Sequence, residues 1–262
     1  MAKHLRGCLP TPMHVLHHLK RQTRKISTLP PPPEMFDATG QVRDWDMDGN
    51  DSWGDCVFAG EANYKRAVTK GTGVSEIQIS ANACIRDYLK YTGGSDEGAN
   101  ISSFLDWMER VGLQDDQRRY HKNGRHGALD VKSIQELRFG VSLFRGVKAA
   151  VAADILDSVV AGKSGWVCHE TGSGPIDHNV ELLGYGTVNQ CLTICGTKPA
   201  LPDSLGLLPA FVLYTWETVG VITTRSLQSI IGEAHVRITD PERGDAMLWE
   251  PQAASDFGEV VG

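Results

Sequence analysis

A chain of 262 residues, 41% hydrophobic and 22% charged, has the composition of a globular protein with a full core, in one large domain or two lobes. A net charge of −6 speaks against general nucleic-acid affinity, and no apolar run reaches the roughly 18 residues of a membrane span. The start of the chain has no apolar core of the secretory kind, and six cysteines, at 8, 56, 84, 168, 191 and 195, are too thinly spread for a disulfide framework, so reduced thiols are expected.

Residues 1–36 read as a basic arm lying over the body. Its first 25 residues carry Lys3, Arg6, Lys20, Arg21, Arg24 and Lys25 and no acid, a local charge of +6 that leaves −12 for the remainder. A short helix fits 12–20, where His14, His17 and His18 have the i, i+3, i+4 spacing of metal ligands, but no carboxylate or cysteine stands beside them and no metal is expected. Pro30 to Pro33 lack N–H donors and favour an extended polyproline II segment.

Residues 37–130 read as a helical lobe. The polar loop Gly49-Asn50-Asp51-Ser52-Trp53-Gly54-Asp55 runs into Cys56 and a helix over 57–68. A cysteine at a helix start meets unpaired N–H groups and the positive end of the helix dipole, which favour the thiolate and mark Cys56 as a candidate nucleophile. Ser75 and Gln78 have capping-box spacing at the head of a second helix. A third starts at Ser102 or Ser103 and stops at Gly112. Residues 113–130 are polar and basic and read as a surface connection, followed by a short helix over 132–139.

Residues 131–240 read as a β lobe. Strands are expected at 141–144, 165–169, 178–183, 191–194, 210–214 and 234–238, interrupted by an alanine-rich helix over 147–160. Helices followed by antiparallel strands make an α+β plan. Residues 241–262 form an acidic tail with Glu242, Asp245, Glu250, Asp256 and Glu259. The basic arm and acidic tail could pair with each other, with a second copy or with a larger particle. A cysteine nucleophile needs a base, and His178, at the mouth of a strand after the loop Thr171-Gly172-Ser173-Gly174-Pro175, is placed to project into a cleft.

At this point a family resemblance emerges. Asp177-His178-x-Val180-x-x-Leu183-Gly184-Tyr185-Gly186 resembles the histidine segment D-H-x-V-x-x-V-G-Y-G of the papain-like cysteine peptidases. The loop from Asn50 to Cys56 resembles their Q-G-x-C-G-S-C-W signature, with Asn50 six positions before Cys56 in place of the glutamine. The 122 residues between Cys56 and His178 are near the roughly 130–150 of that family. Asp44-Trp45, the segment Ser95 to Ala99 and the late stretch Gly232-Glu233-Ala234-His235-Val236-Arg237-Ile238 are similar to family segments in the same order, so the resemblance spans about residues 40–240.

The resemblance implies a two-lobe papain-like fold, with a helical N-terminal lobe and a β-barrel-like C-terminal lobe. It implies a thiol protease or amidase in which Cys56 attacks an acyl carbonyl and His178 shuttles the proton. The amide of Asn50 and the Cys56 N–H would form the oxyanion hole. Gly98 and Ala99 would pair with an extended peptide backbone in a groove that includes Trp216. Trp216 matches the tryptophan after the family's orienting asparagine, whose own place falls on Tyr214, or on Thr215 if a gap is allowed. Glu181, on the opposite strand face from His178, reads as an ion-pair partner of a neighbour such as Arg237 or as an indirect orienter of the base. Asp55 would put a charge beside the thiol and raise its pKa. The segment ahead of Asp44 is shorter than the family's usual inhibitory propeptide.

Two readings stay open from the sequence. One is a hydrolase with a peptide or protein substrate and no cofactor. The other is a papain-fold binding or structural protein of weak or no activity, such as a phage virion component joined through its arm and tail. The cytoplasm or a virion is the expected location, with neither nucleic acid nor membrane as a partner.

Overall fold

The computed structural model describes residues 5–15, 31–72, 75–160, 162–198 and 200–237. The acidic tail, and His17 and His18 of the arm, lie outside the described residues. A ten-residue strand, β9 (His178–Thr187), runs through the centre of the molecule with its first eight residues buried. Its sheet has the order β6 (His126–Ala128), β12 (Ile231–Arg237), β7 (Val147–Val151), β9, β10 (Pro209–Thr215), β11 (Thr218–Thr223) and β8 (Val167–Cys168). The short strand β2 (Phe36–Asp37) pairs with the second half of β9, and every pairing in this sheet is antiparallel except β8 with β11. Both faces of β9 are covered. Val180 and Leu182 enter the core of the sheet lobe, while Asn179, Glu181 and Leu183 lie on the other face.

That other face carries α1 (Cys56–Gly71), whose residues are nearly all buried. Gly60 allows the approach, because a Cβ there would stand 2.3 Å from Nδ2 of Asn179 and 3.1 Å from a Glu181 carboxylate oxygen. With α2 (Ala81–Thr92) and α3 (Ile101–Arg110), α1 builds the helical lobe around Phe58, whose ring lies 4.5–5.7 Å from those of Tyr88, Tyr91, Phe104 and Trp107. Helical and sheet lobes therefore meet along α1 and β9, an α+β two-lobe architecture. Among the described residues no helix is long and apolar enough to cross a membrane.

Several local expectations give way to tertiary context. The apolar run 141–144 is the end of a helix, α4 (Ile134–Phe144), which starts at a Ser133 cap. Residues 191–194 also belong to a helix, preceded in the chain by α5 (Asp154–Val159). This one, α6 (Val188–Ile194), is held by a capping box of Thr187 and Gln190. The alanine-rich stretch supplies strand β7 rather than continuous helix, because its backbone pairs with β9 on one side and β12 on the other. The second helix starts after Ser80, whose hydroxyl accepts from the Ala83 N–H, and not at Ser75. Strand β11 was not expected at all. The 113–130 connection holds a small hairpin, β4 (Leu113–Gln114) with β5 (Tyr120–His121), and then β6, in which His126 is buried.

Four charged side chains lock the lobes together. Arg237 on β12 donates to Glu61 of α1 at 2.9 Å and to Glu181 of β9 at 2.6 Å. Lys148 of β7 donates to Glu181 and to the Val57 carbonyl, both at 2.8 Å. Asn123 donates to the remaining Glu61 oxygen at 2.9 Å, and the Arg237 guanidinium lies 3.6 Å over the Tyr64 ring. Burial pushes Glu61 up, yet the charges of Arg237 and Lys148 hold it below the usual carboxylate range. Two anions and two cations offset one another, but losing one ion leaves another uncompensated. Arg237→Leu is therefore expected to destabilise the fold by about 3–5 kcal/mol in urea unfolding. A loss under about 1 kcal/mol, the scale of an exposed pair, would show that this cluster does not fasten the lobes.

Candidate active site

The loop before α1 is wound tightly. Asp48 and Gly49 both have positive φ, 51° and 103°, and the Ser52 and Trp53 N–H groups both donate to Gly49 O at 2.9 Å. Asn63 of α1 holds this loop. Its side-chain Nδ2 lies 2.7 Å from both Asp48 Oδ2 and the Tyr214 hydroxyl, and its Oδ1 accepts from Asp46 N at 3.1 Å. The result puts Cys56 at the first position of α1, 2% exposed. Burial pushes the Cys56 thiol up to about 11, against the backbone N–H groups of Asn179 and Gly7, which reach the thiol and favour the thiolate.

His178 is the first residue of β9, directly before Asn179. Asn179 is bonded to Cys56 through Nδ2, which donates to the Cys56 carbonyl at 3.1 Å. His178 Nε2 lies 2.7 Å from Thr215 Oγ1, and its ring stacks on Trp216 with centroids 4.4 Å apart. Thr215 pairs with Thr218, so Trp216 and Glu217 are the two central residues of a tight hairpin, both with positive φ, 43° and 59°. Such a turn normally favours Asn-Gly. The strained Trp-Glu pair holds Trp216 against the His178 ring.

Among the residues expected to orient His178, Thr215 is the one in contact. Tyr214 points the other way, donating to Asp46 O at 2.6 Å. Glu181 belongs to the buried ion cluster with Arg237 and Lys148 and does not reach the base. Asn50 does offer its amide, which donates to the carbonyls of Leu5 and Trp53 at 3.2 and 3.0 Å. Gly98 and Ala99 lie against Gly7, with Ala99 N donating to Gly7 O. The link between that segment and the cysteine loop was not foreseen. Asp96 accepts from Gly54 N at 2.9 Å and from the Tyr88 hydroxyl at 2.6 Å, and that hydroxyl accepts from Gly98 N at 2.9 Å. Among the described residues, no group of three or more His, Cys, Asp or Glu side chains is arranged to hold a metal ion.

The charge expected beside the thiol is mostly absent at neutral pH. Asp55 is fully buried, and burial together with nearby Asp48 raises its carboxyl to about 8. Asp48 is also pushed up to about 8, by burial first and then by Asp46. The thiol is raised by its own burial first, and Asp55 is a lesser contributor.

The groove is filled by the chain's own arm. Strand β1 (Cys8–Leu9) runs parallel to β3 (Ala99–Asn100), Ala99 N donates to Gly7 O at 2.7 Å, and Cys8 N donates to Asp177 O at 3.0 Å. Glycine is required where the backbones meet. A Cβ on Gly7 would stand 1.7 Å from Gly54 O, and one on Gly98 2.2 Å from Gly7 O. Arg6 pairs with Asp177 at 2.7 Å and also with Asp157, and Thr11 is held through its N–H and hydroxyl by Glu233 at 3.0 and 2.9 Å. The arm thus reaches the candidate site.

No protein-family model and no curated protein matches this sequence. Solved structures do. Xylellain, a cysteine protease from Xylella fastidiosa, superposes with a TM-score of 0.59 at 12% identity over 92% of this chain and 99% of its own. Digestive procathepsin L 3 of Tenebrio molitor larval midgut gives 0.56 at 13% identity over 80% and 71% of the two chains. The ragweed pollen cysteine protease Amb a 11 in its proform gives 0.53 at 12% over 82% and 68%. The chain has a divergent papain-like fold.

The buried carboxyls predict an inverted pH dependence. Native Asp48 and Asp55 hold their protons to about pH 8, whereas unfolded aspartates release them near pH 4. The folded state binds more protons between those values, so stability falls as pH rises through that window. Urea unfolding of Asp55→Asn at about pH 5 and about pH 9 is expected to show a smaller fall than wild type. An unchanged fall would show that Asp55 is ionised in the native protein.

Proposed function

We propose that this chain is a papain-like thiol hydrolase of peptide or amide bonds, held silent by its own arm. The observation that carries this reading is the arm itself. The groove beside Cys56 holds an extended backbone through hydrogen bonds from Ala99 N and to Asp177 O, the interactions a peptide substrate would make. The Asn50 amide already holds a carbonyl oxygen, that of Leu5, which suits it to stabilise an oxyanion.

In the proposed reaction the Cys56 thiol passes its proton to His178 and the sulfur attacks the substrate carbonyl carbon. Negative charge develops on the carbonyl oxygen, where the Asn50 amide and Cys56 N–H donate. His178 returns the proton to the departing amine, leaving a thioester on Cys56 that water hydrolyses with His178 as base. Thr215 orients the imidazole by its 2.7 Å contact at Nε2, and Trp216 covers the ring. A hydroxyl is neutral, so it fixes the ring without adding a charge to stabilise the imidazolium.

The arm is not placed as a substrate. The burial that accompanies docking keeps the thiol protonated, its pKa raised to about 11. Two of the similar structures are proforms of peptidases, which suits a chain whose own segment fills the groove.

The test is alkylation with iodoacetamide at near-neutral pH, followed by mapping of the modified cysteine. Gly7→Ala cannot seat against Gly54, so it is expected to release the arm and raise Cys56 labelling by about tenfold or more, the effect of roughly 1.4 kcal/mol against docking. Adding His178→Ala is expected to remove that gain. If Cys56 in Gly7→Ala reacts no faster than Cys191, or if the His178 change has no effect, the hydrolase reading fails and a silent papain-fold binding protein is the better description.

A further inference from the structure

The arm brings a second thiol to the nucleophile. Cys8 follows Gly7, whose backbone lies against that of Gly54, two residues before Cys56, and it is pinned there by its own N–H to Asp177 O and by its register opposite Ala99. Cys8 and Cys56 lie in one buried cluster with Ala99, Ala150 and Ile176, at 3% and 2% exposure. After burial itself, the strongest influence on the Cys8 thiol is the charge Cys56 would carry. Cys84, in the same cluster, responds to Asp55, Asp48 and Asp87 instead. Cys191 and Cys195 sit a turn apart at α6, where a bond between them would restrain no arm.

We propose that Cys8 and Cys56 form a reversible disulfide that clamps the arm over the nucleophile and places the site under redox control. The oxidant is a low-molecular-weight disulfide of the glutathione class. When the arm lifts, the Cys56 thiolate attacks one sulfur of the oxidant. Its S–S bond breaks, one thiolate leaves and takes a proton, and Cys56 carries a mixed disulfide. When the arm returns, the Cys8 thiolate attacks the Cys56 sulfur and expels the second small thiolate, which is protonated. Two protein thiols are oxidised and one small disulfide is reduced to two thiols. Docking through Gly7, Cys8 and Thr11 makes the second step intramolecular, so Cys8 outcompetes free thiol. Excess thiol reverses both steps.

The inference rests on the hydrolase reading only for the identity of the nucleophile, since disulfide exchange needs no peptide cleavage. The experiment treats the full chain with oxidised glutathione, quenches with acid, alkylates the remaining thiols and maps non-reduced peptides by mass spectrometry. The expected result is a Cys8–Cys56 cross-linked peptide and a loss of two of the six thiols, restored by dithiothreitol. Cys8→Ser is expected to stop at the Cys56–glutathione adduct. The proposal is overturned if wild type accumulates that adduct as fully as Cys8→Ser, if Cys8 pairs as often with Cys84, or if Cys56 is not oxidised. A Cys8–Cys56 link in a protein that cleaves nothing overturns the hydrolase reading alone, and fast alkylation of Cys56 without the link overturns this one alone.

Discussion

The contact between α1 and β9 is the constraint on which the rest of the molecule depends, and it is made by buried charge. Glu61 and Glu181 face Lys148 and Arg237 at the junction of the two lobes, all of them almost fully buried. Apolar packing alone tolerates small slips of a helix along a sheet. A buried ion does not, because every displaced partner leaves a charge without compensation. The cluster therefore fixes the register of α1 on β9. Lys148 extends that register to the site by holding the carbonyl of Val57, the residue after Cys56. Asn179 completes it by holding the carbonyl of Cys56 itself. Thiol and imidazole start their respective elements at the same end of this junction.

The other wall of the groove is set by a second, smaller chain of contacts. Asp96 and the Tyr88 hydroxyl tie Gly54 to Gly98, so the cysteine loop is bonded to the glycine wall. Between this wall and Asp177 the gap suits one extended backbone, and the arm takes it. The same feature accounts for the electrostatics of Cys56. A helix start and two nearby N–H groups favour the thiolate, but complete burial under the arm outweighs them. The Cys56 thiol owes its raised pKa to that burial, and Cys8 lies on the arm that helps to cause it.

Cys56 and His178 were legible because each sits in a distinctive local setting, a glycine-punctuated helix start and a strand mouth. Thr215 and Tyr214 could not be told apart, since one residue of register decides which side chain turns toward the imidazole. That register follows from the pairing of Thr215 with Thr218 across a Trp-Glu turn, which carries no turn signal of its own. The apolar runs at 141–144 and 191–194 looked like strands because a short buried helix segment and a buried strand share the same composition. The alanines of β7 looked helical for the converse reason. Their strand state comes from neighbours on both sides, 29 and more residues away in the chain, against a weak local preference.

By itself the sequence determined the α+β composition and the helical-then-strand order, and it singled out Cys56, His178 and the Gly98 segment as candidates. These follow from spacing, from helix-end chemistry and from backbone positions that side chains would obstruct, all of which are local. Tertiary structure alone decided that Thr215 and not Tyr214 meets His178, that Glu181 belongs to an ion cluster, that Asp55 keeps its proton, and that the arm lies in the groove. Each of these depends on burial or on a partner remote in the chain. Desolvation and long-range pairing are set only when the chain closes on itself.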